Sequence, residues 1–159
     1  MAEPPAYLRR AVEKLVAALG ENLVGVVLYG SHARREAREG SDVDLFVIAH
    51  GLPERRYDRC IQLQALVRGI NDAPDFSVLG KTPAEFESQF PSLYLDLGTD
   101  GILLFDRDGY TASKLDRVRQ IIAQAGLVRE RIDGDMYWDW QHTPGFHWEI
   151  TWEGFRELA

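Results

Sequence analysis

A glycine and a hydroxyl, followed after ten residues by two alternating carboxylates, form the part of this 159-residue chain best suited to phosphate chemistry: Gly30-Ser31 and then Asp42-Val43-Asp44. The apolar, β-branched run Leu23 to Tyr29 predicts a buried strand that stops at Gly30. A strand that turns into a helix there presents unpaired backbone N–H groups and the Ser31 hydroxyl, which suits a phosphate. Gly30 permits a close backbone approach that a bulkier residue would block. Asp42 and Asp44 open a second strand-like run, Val43 to Ala49. The strand period puts both side chains on one face, about 6.5–7 Å apart at Cα. Such a pair can ligate divalent ions of the kind used in phosphoryl transfer, and Mg²⁺ is the usual partner of phosphates.

A third carboxylate, Asp75, opens a third predicted strand, Asp75 to Leu79. If that strand neighbours the second, Asp75 reaches the same ions as a ligand, or serves as general base for an attacking hydroxyl. Asp72 is the alternative to it. Arg34, Arg35 and Arg38 are the candidates for gripping phosphate, because a guanidinium can do so bidentately. Arg34 is favoured for a contact, whereas Arg38 is read as part of a solvated face with Glu36 and Glu39. His32, His142 and His147 are read as bystanders rather than bases. Lys81 either reaches a phosphate or simply ends a strand.

The elements that must position these residues follow from local pattern. Tyr7, Leu8, Ala11, Val12, Leu15, Val16 and Leu19 predict an amphipathic helix started near Pro4-Pro5 and stopped by Gly20. A second helical pattern runs through Tyr57, Cys60, Ile61, Ala65, Leu66 and Ile70. Thr82-Pro83-Ala84-Glu85 is a helix start with a capping box. Gly101 to Phe105 predicts a fourth strand, and Leu115 to Ala125 a last helix ended by Gly126. The fold class is α+β. A main domain is expected over 1–132, with a Trp-rich tail over 133–159 packed on it as a hairpin or coil. That tail holds Trp138, Trp140, Trp148 and Trp152, read mainly as packing residues.

Composition bounds the partners. Acidic residues number 25 against 18 basic, for a net charge of −7. That argues against binding genomic DNA, which needs a basic face to displace counterions. A small phosphorylated ligand is still compatible, because one metal ion or arginine reverses the local sign. The lone Cys60, the lack of zinc spacing, and an N-terminus without a basic and apolar leader all point to the cytoplasm. No apolar run approaches the roughly 20 residues of a membrane helix.

Gly30-Ser31, ten residues, then Asp42-x-Asp44 resembles the signature of the DNA polymerase beta-like nucleotidyltransferases, and specifically their minimal nucleotidyltransferase (MNT) branch. Ala33-Arg34, Glu39 to Val47, Asp75, the Thr82-Pro83-Ala84-Glu85-Phe86 helix start and Gly101 to Phe105 extend the resemblance over roughly residues 8–128. It implies a mixed β-sheet flanked by helices, a nucleoside triphosphate bound through Gly30, Ser31 and Arg34, and Mg²⁺ held by Asp42, Asp44 and Asp75. The implied reaction moves AMP from ATP to an acceptor hydroxyl and releases pyrophosphate. Members of this branch pair with HEPN-type toxins, which implies a tyrosine of such a partner as acceptor and an antitoxin role. The alternative is a binding module that neutralises a toxin by contact without catalysis. One departure is Arg35, which stands where a glycine is common.

Overall fold

The computed structural model describes residues 3–158. Its centre is a mixed sheet of four strands: β1 (Leu23–Tyr29), β2 (Val43–Ala49), β3 (Phe76–Lys81) and β4 (Ile102–Asp106), in the order β3-β2-β1-β4. β2 and β3 run parallel, while β1 is antiparallel to both β2 and β4. The two central strands are the two apolar runs read from the sequence. They are buried on both faces, as continuous β-branched and aromatic strands must be.

Helices cover both faces. On one side α1 (Ala6–Leu19) and α3 (Arg56–Leu66) pack over Val26, Leu28, Leu45 and Val47. On the other, α4 (Pro83–Ser88), α5 (Ser92–Asp100) and α6 (Tyr110–Ala125) pack over Val24, Val27, Phe46 and Ile48. Between β1 and β2 lies only α2 (Gly30–Ala33), a single turn, and then a polar loop. The capping box at Thr82 forms as expected: its hydroxyl accepts from Glu85 N–H while the Glu85 carboxylate accepts from Thr82 N–H.

Two elements differ from the sequence pattern. α3 does not bury Tyr57, Cys60 and Ile61; it buries Leu63 and Arg59 and leaves Tyr57 72% and Ile61 51% exposed. The helix is rotated because it docks on the edge strand through polar groups. Arg59 donates to the carbonyls of Pro53 and Gly80 and pairs with Glu85, while Gln64 bonds Phe76 O and Val78 N–H. The otherwise open edge of β3 is thereby closed by side chains. The second difference is α5, a helix that no sequence pattern announced, separated from α4 by Pro91.

The tail forms two hairpins. β5 (Leu127–Ile132) pairs with β6 (Asp135–Trp140), and β7 (Trp148–Thr151) with β8 (Gly154–Glu157). The 132/133 boundary expected for the tail falls in the turn of the first hairpin. Trp138 and Trp152 pack into the core on the α4–α6 side. Among the described residues no helix is long and apolar enough to cross a membrane.

Candidate active site

Strand register assembles the site at one end of the sheet. Tyr29, the last residue of β1, is paired with Asp44 on β2, and Asp44 with Ser77 on β3. Val43 N–H donates to Asp75 O at 2.8 Å, so extending the parallel register by one residue places Asp75 beside Asp42. Asp42, Asp44, Asp75 and Ser77 therefore share the sheet face that carries Phe46, the α4–α6 side.

Gly30 makes room for this cluster. It is in the left-handed region, with φ +75°, and a Cβ there would lie 2.2 Å from Asp44 Oδ2. The chain thus turns sharply at the strand end and lays its backbone against the carboxylate. The following helix lasts only one turn, so its dipole is smaller than the sequence reading supposed. What α2 offers is its unpaired first-turn N–H groups. Arg35 closes the turn with φ +59°, a conformation that favours glycine.

Electrostatics distinguish the two adjacent carboxylates. Partial burial and then the neighbouring Asp42 push the Asp44 pKa up, while His32 and Arg34 pull it down less strongly. Tyr29 is pushed up to about 12, first by burial and then by the charge of Asp44. Neither Asp42 nor Asp44 forms an ion pair among the described residues. Two close carboxylates with no protein cation between them are a donor set of hard oxygens, and that fits a divalent ion such as Mg²⁺. Among the described residues no three His, Cys, Asp or Glu side chains converge tightly enough to hold a metal ion. Asp75 stands exposed at the mouth of its strand, next to the pair rather than closed upon it.

The remaining candidates are sorted by their contacts. His32 Nε2 donates to the Ser41 carbonyl at 3.0 Å, tying α2 to the loop before Asp42, which is a structural task. Arg38 is exposed, and its backbone makes a turn with Ser41. Arg34 lies near Asp44 and pairs with Glu36 at 3.1 Å and Asp100 at 3.5 Å. Lys81 is at the far end of β3 from Asp75. His142 and His147 flank the start of the second hairpin, and Asp72 occupies a turn with φ +56°.

Sequence reasoning missed Tyr29, whose place just before Gly30 was the available signal. It also missed Asp100 and Arg129, which no local pattern connects to the site.

Comparison with known proteins bears on this geometry. A family model described as "Polymerase beta, Nucleotidyltransferase" matches residues 13–109, more than half of the chain and all of the site elements from α2 to β4. The chain belongs to the polymerase beta nucleotidyltransferase family. This nucleotidyltransferase is 34% identical over 123 residues to "Putative protein adenylyltransferase MJ1305" of Methanocaldococcus jannaschii, covering 70% of this chain and 78% of that protein. Its fold is similar to a crystal structure of a toxin–antitoxin with AMP-PNP, at TM-score 0.50 and 17% identity, over 72% of this chain and 86% of that one. A structure of a tri-AMPylated Shewanella oneidensis HEPN toxin in complex with MNT antitoxin aligns at TM-score 0.47 and 15% identity, over 74% and 84%. The family and the α+β fold implied by the sequence resemblance are borne out. The residue assignments within the site rest on the geometry above.

Proposed function

We propose that this nucleotidyltransferase moves AMP from ATP to a hydroxyl on a partner protein, with Asp42, Asp44 and Asp75 as its acidic cluster. The observation that carries the reading is the fit of Gly30 against Asp44: the backbone of the turn and the carboxylate lie directly against each other, which sets groups suited to phosphate and to a divalent ion side by side. The adenylyltransferase name of the Methanocaldococcus jannaschii relative supports AMP as the transferred group. The AMP-PNP in the similar toxin–antitoxin structure supports ATP as donor and a toxin as partner. A tyrosine on a HEPN-type toxin is the acceptor this reading favours, which makes the chain an antitoxin.

The chain's own groups have defined tasks. The N–H groups of α2 and the Ser31 hydroxyl bind phosphate oxygens, and the Arg34 guanidinium adds a charge-assisted contact. Asp42 and Asp44 would hold Mg²⁺, and the chemistry supplied by that ion is neutralisation of the triphosphate charge. Asp75, exposed beside the pair, accepts the proton of the acceptor hydroxyl. The hydroxyl oxygen bonds to the α-phosphorus, the bond from that phosphorus to the bridging oxygen breaks, and pyrophosphate leaves with the electron pair. Catalysis is then mainly positioning plus charge stabilisation.

The test is incubation with ATP labelled at the α-phosphate, Mg²⁺ and the product of an adjacent reading frame. Transfer that disappears in Asp42→Asn and Asp44→Asn supports the reading. Partner binding that survives both changes, with no transfer by the unmodified protein, would replace it with neutralisation by contact.

A further inference from the structure

A continuous chain of ion pairs links the first tail hairpin to the phosphate-binding turn. It runs Arg131–Glu36–Arg34–Asp100–Arg129–Asp96, and Trp138 Nε1 donates to Asp96 Oδ1 at 3.0 Å. Two of its carboxylates are each shared between Arg34 and an arginine of β5, and at both the hairpin arginine is nearer. Arg129 binds both oxygens of Asp100, at 2.6 and 2.7 Å, whereas Arg34 stands 3.5 Å away. Arg131 is 2.6 Å from Glu36, against 3.1 Å for Arg34. Charge-assisted N–H···O bonds are normally about 2.7–2.9 Å, so the Arg34–Asp100 contact is weak while the Arg129 fork is strong.

We infer that Arg129 is a positioning residue for the nucleotide: by occupying Asp100, it keeps that carboxylate from capturing the Arg34 guanidinium, which then can meet a phosphate. The inference rests on Arg34 being the phosphate-contacting side chain of the proposed function. The physical reason is desolvation. The Asp100 side chain is only 9% exposed and the Arg129 side chain 13%. A carboxylate so enclosed requires a cation, and leaving it unpaired is costly. Without Arg129, the next guanidinium to reach it is Arg34. Satisfying Asp100 would then draw Arg34 away from Asp44 and the turn at Gly30.

Arg129 is itself well fixed. It lies 3.3 Å from Asp96 and over the Trp138 ring at 5.7 Å, so the hairpin presents it as a preset fork. Three carboxylates, Glu36, Asp96 and Asp100, face two hairpin arginines, with Arg34 as the third and least engaged cation. Removing one hairpin arginine therefore changes how firmly Arg34 is held.

The experiment measures the affinity of the full chain for α,β-methylene-ATP with Mg²⁺ in Arg34→Ala, Arg129→Ala, Asp100→Asn and the double variant Arg129→Ala/Asp100→Asn. Arg129→Ala is expected to weaken binding about tenfold, the scale of one charge-assisted contact. The double variant is expected to return to within about twofold of the unmodified protein, because the neutral amide no longer captures Arg34. A hairpin that mattered only for structure would not be rescued by Asp100→Asn. Should Arg129→Ala fail to fold, Arg129→Gln with and without Asp100→Asn makes the same comparison, because it keeps most of the side chain and removes the charge. Unchanged affinity in Arg129→Ala, or a double variant as weak as the single one, overturns the inference. If Arg34→Ala alone binds as the unmodified protein does, the phosphate role of Arg34 itself falls. That outcome is distinct from a failed rescue.

Discussion

The Asp44 carboxylate fills the space that a side chain at residue 30 would need: a Cβ on Gly30 would lie 2.2 Å from Asp44 Oδ2. With φ +75° at the same residue, glycine is required twice over, for conformation and for room. Gly30→Ala should therefore destabilise the fold by about 1–3 kcal/mol. Because it also displaces Asp44, it should slow transfer by about 100-fold, the scale of a misplacement of roughly 1 Å. Thermal denaturation and a transfer assay on the same preparation separate the two effects.

Asp44 itself is held at a cost to the fold. Its pKa is raised above the ordinary 3.8, mainly by burial and then by Asp42. The native state therefore binds that proton more tightly than the unfolded chain does. Stability falls as pH rises from 3.8 through the raised value, and the full penalty is present at neutral pH. Without divalent ions, Asp44→Asn should raise the melting temperature at pH 7. That gain should fade below the ordinary carboxylate range. With Mg²⁺ present, the unmodified protein should gain stability and the variant should not, so the order of the two melting temperatures narrows or reverses.

Much of this site could be read from the sequence because its parts are local. The strand ending at Tyr29, the Gly30-Ser31 turn, the alternating Asp42 and Asp44 and the capping box at Thr82 each depend on neighbours a few residues away. What could not be read depends on tertiary contacts. α5 buries Tyr94, Leu95, Leu97 and Gly98 on one face, but it has only 9 residues, too few to establish a period, and it carries the weak helix formers Gly98 and Thr99. The face of α3 was misjudged because a buried arginine, Arg59, took a place that hydrophobicity assigns to Tyr57 or Ile61. The pairing of Asp100 with Arg129 spans 29 residues and leaves no periodic trace.

Arg35 offers a stabilising substitution. Its φ of +59° is costly for a residue with a Cβ, and its guanidinium forms no ion pair among the described residues. Arg35→Gly should stabilise the protein by about 0.5–1 kcal/mol, the relief of left-handed strain less the added freedom of the unfolded chain. Nucleotide affinity should stay within about twofold, because the phosphate contact proposed above is Arg34 and not Arg35. Chemical denaturation and a binding titration check the two statements.

The tail is an integral part of the second core. Trp152 packs 4.9 Å from both Phe86 and Phe90 and 5.9 Å from Tyr94, ring centre to ring centre. Its indole N–H donates to the carbonyls of Phe86 and Gln89, both at 2.8 Å. Trp152→Ala should cost about 2–3 kcal/mol and lower the melting temperature by about 5–10 °C. If the tail were an appendage, the same change would leave melting unmoved.

Transfer of AMP by the Asp42/Asp44 site is tested most directly by comparing ATP labelled at the α-phosphate with ATP labelled at the γ-phosphate. Each is supplied with Mg²⁺ and the adjacent-frame partner to the unmodified protein and to Asp44→Asn. The α-label alone should become covalently attached to the partner, with stoichiometric release of pyrophosphate, and Asp44→Asn should reduce this by at least about 1,000-fold. Attachment of the γ-label, or α-label transfer undiminished in Asp44→Asn, would contradict AMP transfer by this site.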